Sequence, residues 1–198
     1  MRLCVYCASS TDVAPEHVAM ARHTGTWIGA HGHTLIWGGC NLGLMHSVGL
    51  ATQQAGGRVV AVLPGFLNAR DLAFENADEV VITETLAERK RHMRDNADVF
   101  VALSGGIGTW DEVLEVLALK KLARLNAPIV LANVGGYFDA LLQMIEHSVA
   151  ERFNPAELTQ LFHVVRDAQG MSDALGAATR SGTPRASFRP AGRVDPLQ

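Results

Sequence analysis

The sequence predicts an α/β protein: a single doubly wound, mostly parallel sheet of the Rossmann-like kind. Three observations carry that expectation. Short apolar runs alternate with longer stretches of helical spacing along most of the 198 residues, and strands separated by helices imply parallel βαβ units. The strand runs are almost uninterrupted in apolar residues, as in strands covered on both faces. Glycine pairs punctuate the boundaries. Gly38-Gly39, Gly105-Gly106 and Gly135-Gly136 follow strands, and Gly56-Gly57 follows a helix.

The first strand is read over residues 3–8. Residues 15–30 have helical spacing (Val18, Ala21, Trp27, Ile28), with Asp12 or Thr11 expected as the cap ahead of Pro15 and Gly32 as the stop. A strand over 34–37 leads through Gly38-Gly39 to a helix over 42–55, closed by Gly56-Gly57. A strand over 58–63 stops at Pro64-Gly65. Residues 66–77 are less regular, and 79–83 read as a short strand. Residues 86–96 form a charged helix, 98–103 a buried strand, and 109–124 a helix after Gly105-Gly106. A strand over 128–134, a helix over 137–152, a short unit over 156–167 and a helix over 171–178 complete the pattern. One domain is expected over residues 1–179. From 180 to 198, arginines alternate with Pro184, Pro190 and Pro196, a composition that suits a flexible tail or an arm laid on a partner.

Composition removes several function classes. With 48% hydrophobic and 19% charged residues the chain is not globally disordered. A net charge of −3 offers no basic stripe for nucleic acid. No apolar run approaches the roughly 18 residues of a membrane helix, and the N-terminus lacks a signal-peptide pattern. Three cysteines, an odd number, read as free thiols in a reducing, cytoplasmic setting. Cys4 and Cys7 have CxxC spacing, but positions i and i+3 of a strand point to opposite faces, and no second Cys/His pair completes a zinc site. No metal is expected. His31 and His33 read as two solvated imidazoles in a turn.

In open α/β sheets ligands bind beyond the carboxyl ends of the strands. The segment Ser104-Gly105-Gly106-Ile107-Gly108-Thr109 joins a strand to a helix. Unpaired backbone N–H groups and the positive end of the helix dipole make such a junction an anion site, to which the Thr109 hydroxyl can donate. Gly38-Gly39-Cys40-Asn41-Leu42-Gly43 would form the opposite wall, with the hydroxyls of Ser9 and Ser10 alongside. The first turn lacks the G-x-G-x-x-G dinucleotide fingerprint, and no G-x-x-x-x-G-K-[ST] loop exists. A nucleoside monophosphate or a sugar phosphate fits better. Asp111 and Glu112 lie in the first helical turn; Asp111 could serve only to complement the dipole. Arg89 and Lys90 could lie on a solvated face, or could hold an anion or hydroxyl while a carboxylate works on a sugar.

These segments resemble the LOG (Lonely Guy) family of cytokinin riboside 5′-monophosphate phosphoribohydrolases, long labelled lysine decarboxylases. Residues 104–112 match the hallmark P-G-G-x-G-T-x-x-E in all but the first position. Residues 37–46 resemble Y-G-G-G-x-x-G-L-M-G, residues 86–93 M-x-E-R-K-x-x-M, and residues 5–10 V-Y-C-G-S-S. The likeness spans roughly residues 3 to 165. It implies hydrolysis of the N-glycosidic bond of an adenine-type nucleoside 5′-monophosphate to free base and ribose 5-phosphate, without metal or organic cofactor. It implies Arg89 and Glu112 as the essential pair, and Gly105, Gly106, Ile107, Gly108 and Thr109 as the phosphate loop, with Lys90 and Asp111 near it. Ser9, Gly38, Gly39 and Asp71 are further expected substrate contacts. A homodimer with sites near the subunit interface is also implied. Ser104, Cys40, His46 and Ala118 depart from the family pattern. Two other readings stand beside the hydrolase: a non-catalytic nucleotide- or cofactor-binding module on the same fold, and a pyridoxal-phosphate decarboxylase, for which no lysine has a suitable context.

Overall fold

The computed structural model describes residues 1–68 and 73–180. In chain order the elements are β1 (Arg2–Tyr6), α1 (Pro15–Ala30), β2 (Thr34–Trp37), α2 (Gly43–Gln54), β3 (Arg58–Pro64), the single turn α3 (Gly65–Asn68), β4 (Glu79–Thr83) and α4 (Leu86–Asp95). They continue with β5 (Val99–Ala102), α5 (Ile107–Lys121), β6 (Ile129–Ala132), α6 (Asp139–Ala150), β7 (His163–Val165) and α7 (Ala168–Arg180). Short 3-10 turns cover Val134–Gly136 and Ala156–Gln160.

Among the described residues seven strands form one sheet in the order β4-β3-β2-β1-β5-β6-β7, and every neighbouring pair is parallel. Strand succession runs one way from β1 to β4 and the other way from β5 to β7. The order therefore reverses between β1 and β5, the place where doubly wound sheets open a ligand crevice. Leu3, Val5, Trp37, Val99 and Val101 point to one face, covered by α1, α2 and α7. Cys4, Tyr6, Ile36, Phe100 and Ile129 point to the other, covered by α4, α5 and α6. Cys4 and Cys7 thus belong to opposite faces of the core, and burial pushes both thiols well above their ordinary range.

Several boundaries differ from the expected ones for identifiable reasons. Neither Asp12 nor Thr11 caps α1; Ala14 is the N-cap and makes no side-chain cap bond. Pro15 opens the helix with a fixed φ and no N–H to satisfy, so a side-chain acceptor is less needed. α5 starts at Ile107 rather than Thr109, because Gly106 is already the extended N-cap residue. α6 starts at Asp139 rather than 137: Gly135 and Gly136 take φ of +59° and +76° in a turn, and Asn133 Oδ1 accepts the Phe138 N–H at 2.7 Å. His31 and His33 are not simply solvated. His31 stacks on Trp27, with ring centroids 4.1 Å apart. α7 remains helical to Arg180, one residue past the expected domain limit, and residues 181–198 of the tail lie outside the described residues.

Candidate active site

α4 is strongly polar, yet Arg89 and Met93 are its two buried residues, one helical turn apart on the face that meets the sheet. Thr85 sets the start of the helix. Its hydroxyl accepts the Glu88 N–H at 3.1 Å, while the Glu88 carboxylate accepts the Glu84 N–H at 3.0 Å, a variant of the reciprocal capping pattern. Arg89 is thereby directed into the interior. Its Nε donates to the carbonyl of Val62, at the end of β3, at 2.9 Å.

α5 supplies the partner. Thr109, Glu112, Val113, Val116 and Leu117 are its buried residues, a helical stripe in which Glu112 occupies a core position. Arg89 Nη1 donates to Glu112 Oε1 at 2.6 Å, with both side chains almost fully enclosed. Burial raises the Glu112 carboxyl above its ordinary range, although Arg89 pulls the other way. The pair sits against Gly38, at the end of β2. A Cβ there would stand 2.3 Å from Arg89 Nη2 and 2.9 Å from Met45 Cε, so any side chain at 38 would occupy the guanidinium's place.

Lys90 and Asp111 lie outside this pair and bond to each other. Lys90 Nζ is 2.8 Å from Asp111 and 2.8 Å from Glu115, and Arg94 reaches Glu115 at 2.7 Å. Burial works against the Lys90 charge, but the two carboxylates overcome it and hold the ammonium above its usual range. This outer ladder fixes α4 against α5 and so keeps Arg89 in register with Glu112.

The glycine loop lies at the switch point. The Ala8 N–H donates to the Ser104 carbonyl at 3.1 Å, closing β1 against β5. A cavity of about 340 Å³ opens there, lined by Ser10, His17, Leu44, Ser104, Gly105, Gly106 and Tyr137 among others. Gly106 and Gly108 have open space where a Cβ would project, and Ile107 is exposed. Thr109 is buried, with its hydroxyl packed against Gly105. Arg89 and Glu112 do not line this cavity. They lie on the α4/α5 face, and α5 links the two places: Glu112 is about 9 Å along the helix axis from the Gly106 cap.

Of the other expected contacts, Ser9 is exposed on the same loop, and Ser10 is the serine that faces the cavity. Gly39 turns toward β3, with φ of +66° and a Cβ position 2.5 Å from Ala61 Cβ, so its place is a structural turn. Asp71 lies outside the described residues. His17 and Tyr137 were not expected. His17 Nδ1 is 2.9 Å from Ser104 Oγ, and the Tyr137 hydroxyl donates to the Gly105 carbonyl.

Comparison with known proteins fits this arrangement. A family model described as "Possible lysine decarboxylase" matches residues 45–175. A cytokinin riboside 5′-monophosphate phosphoribohydrolase of Mycobacterium marinum is 42% identical over 69% of this chain and 73% of its own. An Arabidopsis thaliana protein of the same name is 36% identical over 77% of this chain and 70% of its own. The chain belongs to the LOG family. Among solved structures, the molybdenum cofactor carrier protein of Chlamydomonas reinhardtii superposes with a TM-score of 0.69 at 26% identity, covering 90% of this chain and 98% of that one.

Within this LOG-family chain the departures from the common pattern have local structural partners. His46 Nδ1 meets Asn41 Oδ1 at 2.8 Å, and its ring lies 5.9 Å from that of Phe74. Cys40 is buried and bridges to Ala73. Both therefore lean on the segment that returns after β3. Ser104 carries the contact to His17.

Proposed function

We propose that the protein hydrolyses the N-glycosidic bond of an adenine-type nucleoside 5′-monophosphate, giving free base and ribose 5-phosphate. The observation that carries this reading is the buried 2.6 Å Arg89–Glu112 pair beside the bare Cα of Gly38. A carboxylate held in a low-dielectric wall is suited to stabilising the oxocarbenium-like sugar of glycosidic cleavage, or to taking a proton from water as it attacks C1′. Water then adds to C1′, and the departing base nitrogen receives a proton. Arg89 keeps the carboxylate oriented and is itself oriented by Val62. The open N–H groups at Gly106, Ile107 and Gly108 receive the 5′-phosphate, so binding energy from a remote group positions the reacting bond.

A decarboxylase does not fit these residues. Pyridoxal phosphate needs a lysine for its Schiff base, and the chain has three lysines, Lys90, Lys120 and Lys121. None lines the glycine-loop cavity. Lys90 is tied to Asp111 and Glu115, Lys120 to the Ala127 carbonyl, and Lys121 to Asn154. A second reading, a non-catalytic binding module, draws support from the likeness to molybdenum cofactor carrier proteins.

A homodimer suits the exposed surface. Ile107, Trp110 and Leu114 form an exposed apolar stripe along the outer side of α5, at spacings that share one helical face, next to the proposed phosphate loop. The three free thiols suit a reducing, cytoplasmic compartment, and no helix among the described residues is long and apolar enough to cross a membrane. The test is chromatography after incubation with AMP, isopentenyladenosine monophosphate and the corresponding nucleosides. Free base from the monophosphates supports the hydrolase. Retention of intact nucleotide with no base released supports the binding module instead.

A further inference from the structure

Among the side chains lining the cavity at the switch point is an imidazole that the proposed reaction has not used. His17 stands in the first turns of α1 and faces the glycine loop across the opening. Its Nδ1 is engaged by Ser104 Oγ at 2.9 Å, and its ring lies edge-on to Tyr137, with centroids 5.9 Å apart and planes at 75°. Tyr137 in turn donates to the Gly105 carbonyl and accepts from Trp110 Nε1. The imidazole is thus held from two sides, by a hydroxyl and by an aromatic edge. Nδ1 is occupied; Nε2 has no hydrogen-bond partner among the described residues.

The consequence follows from tautomer chemistry. When the Ser104 hydroxyl donates to Nδ1, the proton of a neutral ring resides on Nε2, which then offers a donor to the cavity. An anion at the loop selects that tautomer, or the imidazolium, and in both forms Nε2 donates. Ser104 and Gly105 are adjacent in the chain, so the residue that sets the imidazole and the start of the anion-binding turn are one rigid piece. α1 is anchored independently, through Met20, Ala21 and Ile28 in the core.

We propose that His17, oriented by Ser104, is the specificity-determining residue for the 5′-phosphomonoester: it donates from Nε2 to a phosphate oxygen opposite the N–H groups of the glycine loop. This rests on the phosphoribohydrolase reading for its substrate and adds the residue that separates nucleotides from nucleosides. A charge-assisted hydrogen bond to phosphate of this kind commonly carries a tenfold or greater share of affinity.

The test compares wild type, His17→Ala and His17→Gln with AMP and adenosine as substrates, alongside calorimetric titration with AMP. Gln keeps an N–H donor of similar reach. His17→Ala is expected to raise KM for AMP about tenfold or more, with a smaller change in kcat, and to narrow the selectivity for AMP over adenosine. His17→Gln is expected to recover part of the KM. A merely structural clamp would instead lower turnover of both substrates alike, with no rescue by Gln; that result, or an unchanged KM for AMP, overturns the assignment. If wild type releases no base from any nucleotide, the hydrolase reading fails on its own. The calorimetry then decides: AMP binding weakened about tenfold in His17→Ala upholds the phosphate role, and equal or absent AMP binding in both proteins overturns it.

Discussion

Replacing Arg89 by alanine should separate what the ion pair does for stability from what it does for chemistry. The substitution leaves the Glu112 carboxylate buried without its 2.6 Å partner and deprives the Val62 carbonyl of its donor. Breaking one side of a buried pair costs about 3–5 kcal/mol, a large fraction of the 5–15 kcal/mol that holds a typical domain together. Removing both charges is different. Arg89→Met with Glu112→Leu fills similar volume with apolar groups, and such replacements of buried pairs are commonly neutral or stabilising. Urea denaturation of wild type, Arg89→Ala and the double variant, with base release measured on each, is the assay. The expected pattern is a severe loss in Arg89→Ala, near wild-type stability in the double variant, and no turnover in either. Stability of Arg89→Ala within about 1 kcal/mol of wild type would refute the reasoning, because the carboxylate would not then be desolvated as the structure has it.

Three further outcomes follow. Burial raises the Glu112 carboxyl above its ordinary value of 4.5, so the native state holds that proton at a pH where the unfolded chain has lost it. This contribution to stability is present below 4.5 and fades as pH rises toward the native value. The acid limb of kcat should correspondingly fall above the ordinary carboxylate range, and Glu112→Gln should abolish the stability slope in that window. Gly38→Ala places a Cβ 2.3 Å from Arg89 Nη2; displacing the guanidinium should cost on the order of 100-fold in kcat, with a melting temperature lowered but folding retained. Leu114→Asp on the exposed α5 stripe should convert the proposed homodimer to monomer in light scattering, and an unchanged mass would place the interface elsewhere.

Much of the architecture is legible in the sequence because parallel strands covered on both faces write continuous apolar runs, and glycines mark their ends. The switch point follows from the strand order, and that order required the structure. The Arg89–Glu112 pair is partly legible from residues alone. Arg89 shares the spacing of Met93, and Glu112 sits between Thr109 and Val113 on an otherwise apolar stripe, so each is a charge on a core-facing position. What they face cannot be read locally. His17 and Tyr137 left no signal, since their partners Ser104 and Gly105 lie 87 and 32 positions away. Lys90 and Asp111, grouped with the phosphate loop on motif position, turn out to satisfy each other across α4 and α5. Charge at a helix start carries no address, and only the packing of the two helices decides which carboxylate a lysine meets.

The central claim is that a buried carboxylate cleaves a nucleotide whose phosphate is bound elsewhere. Its most direct measurement pairs two readings on Glu112→Gln: binding of AMP by calorimetry and release of adenine by chromatography. The account predicts that AMP still binds while adenine release falls by orders of magnitude relative to wild type. Adenine release at the wild-type rate in the Glu112→Gln protein would contradict it.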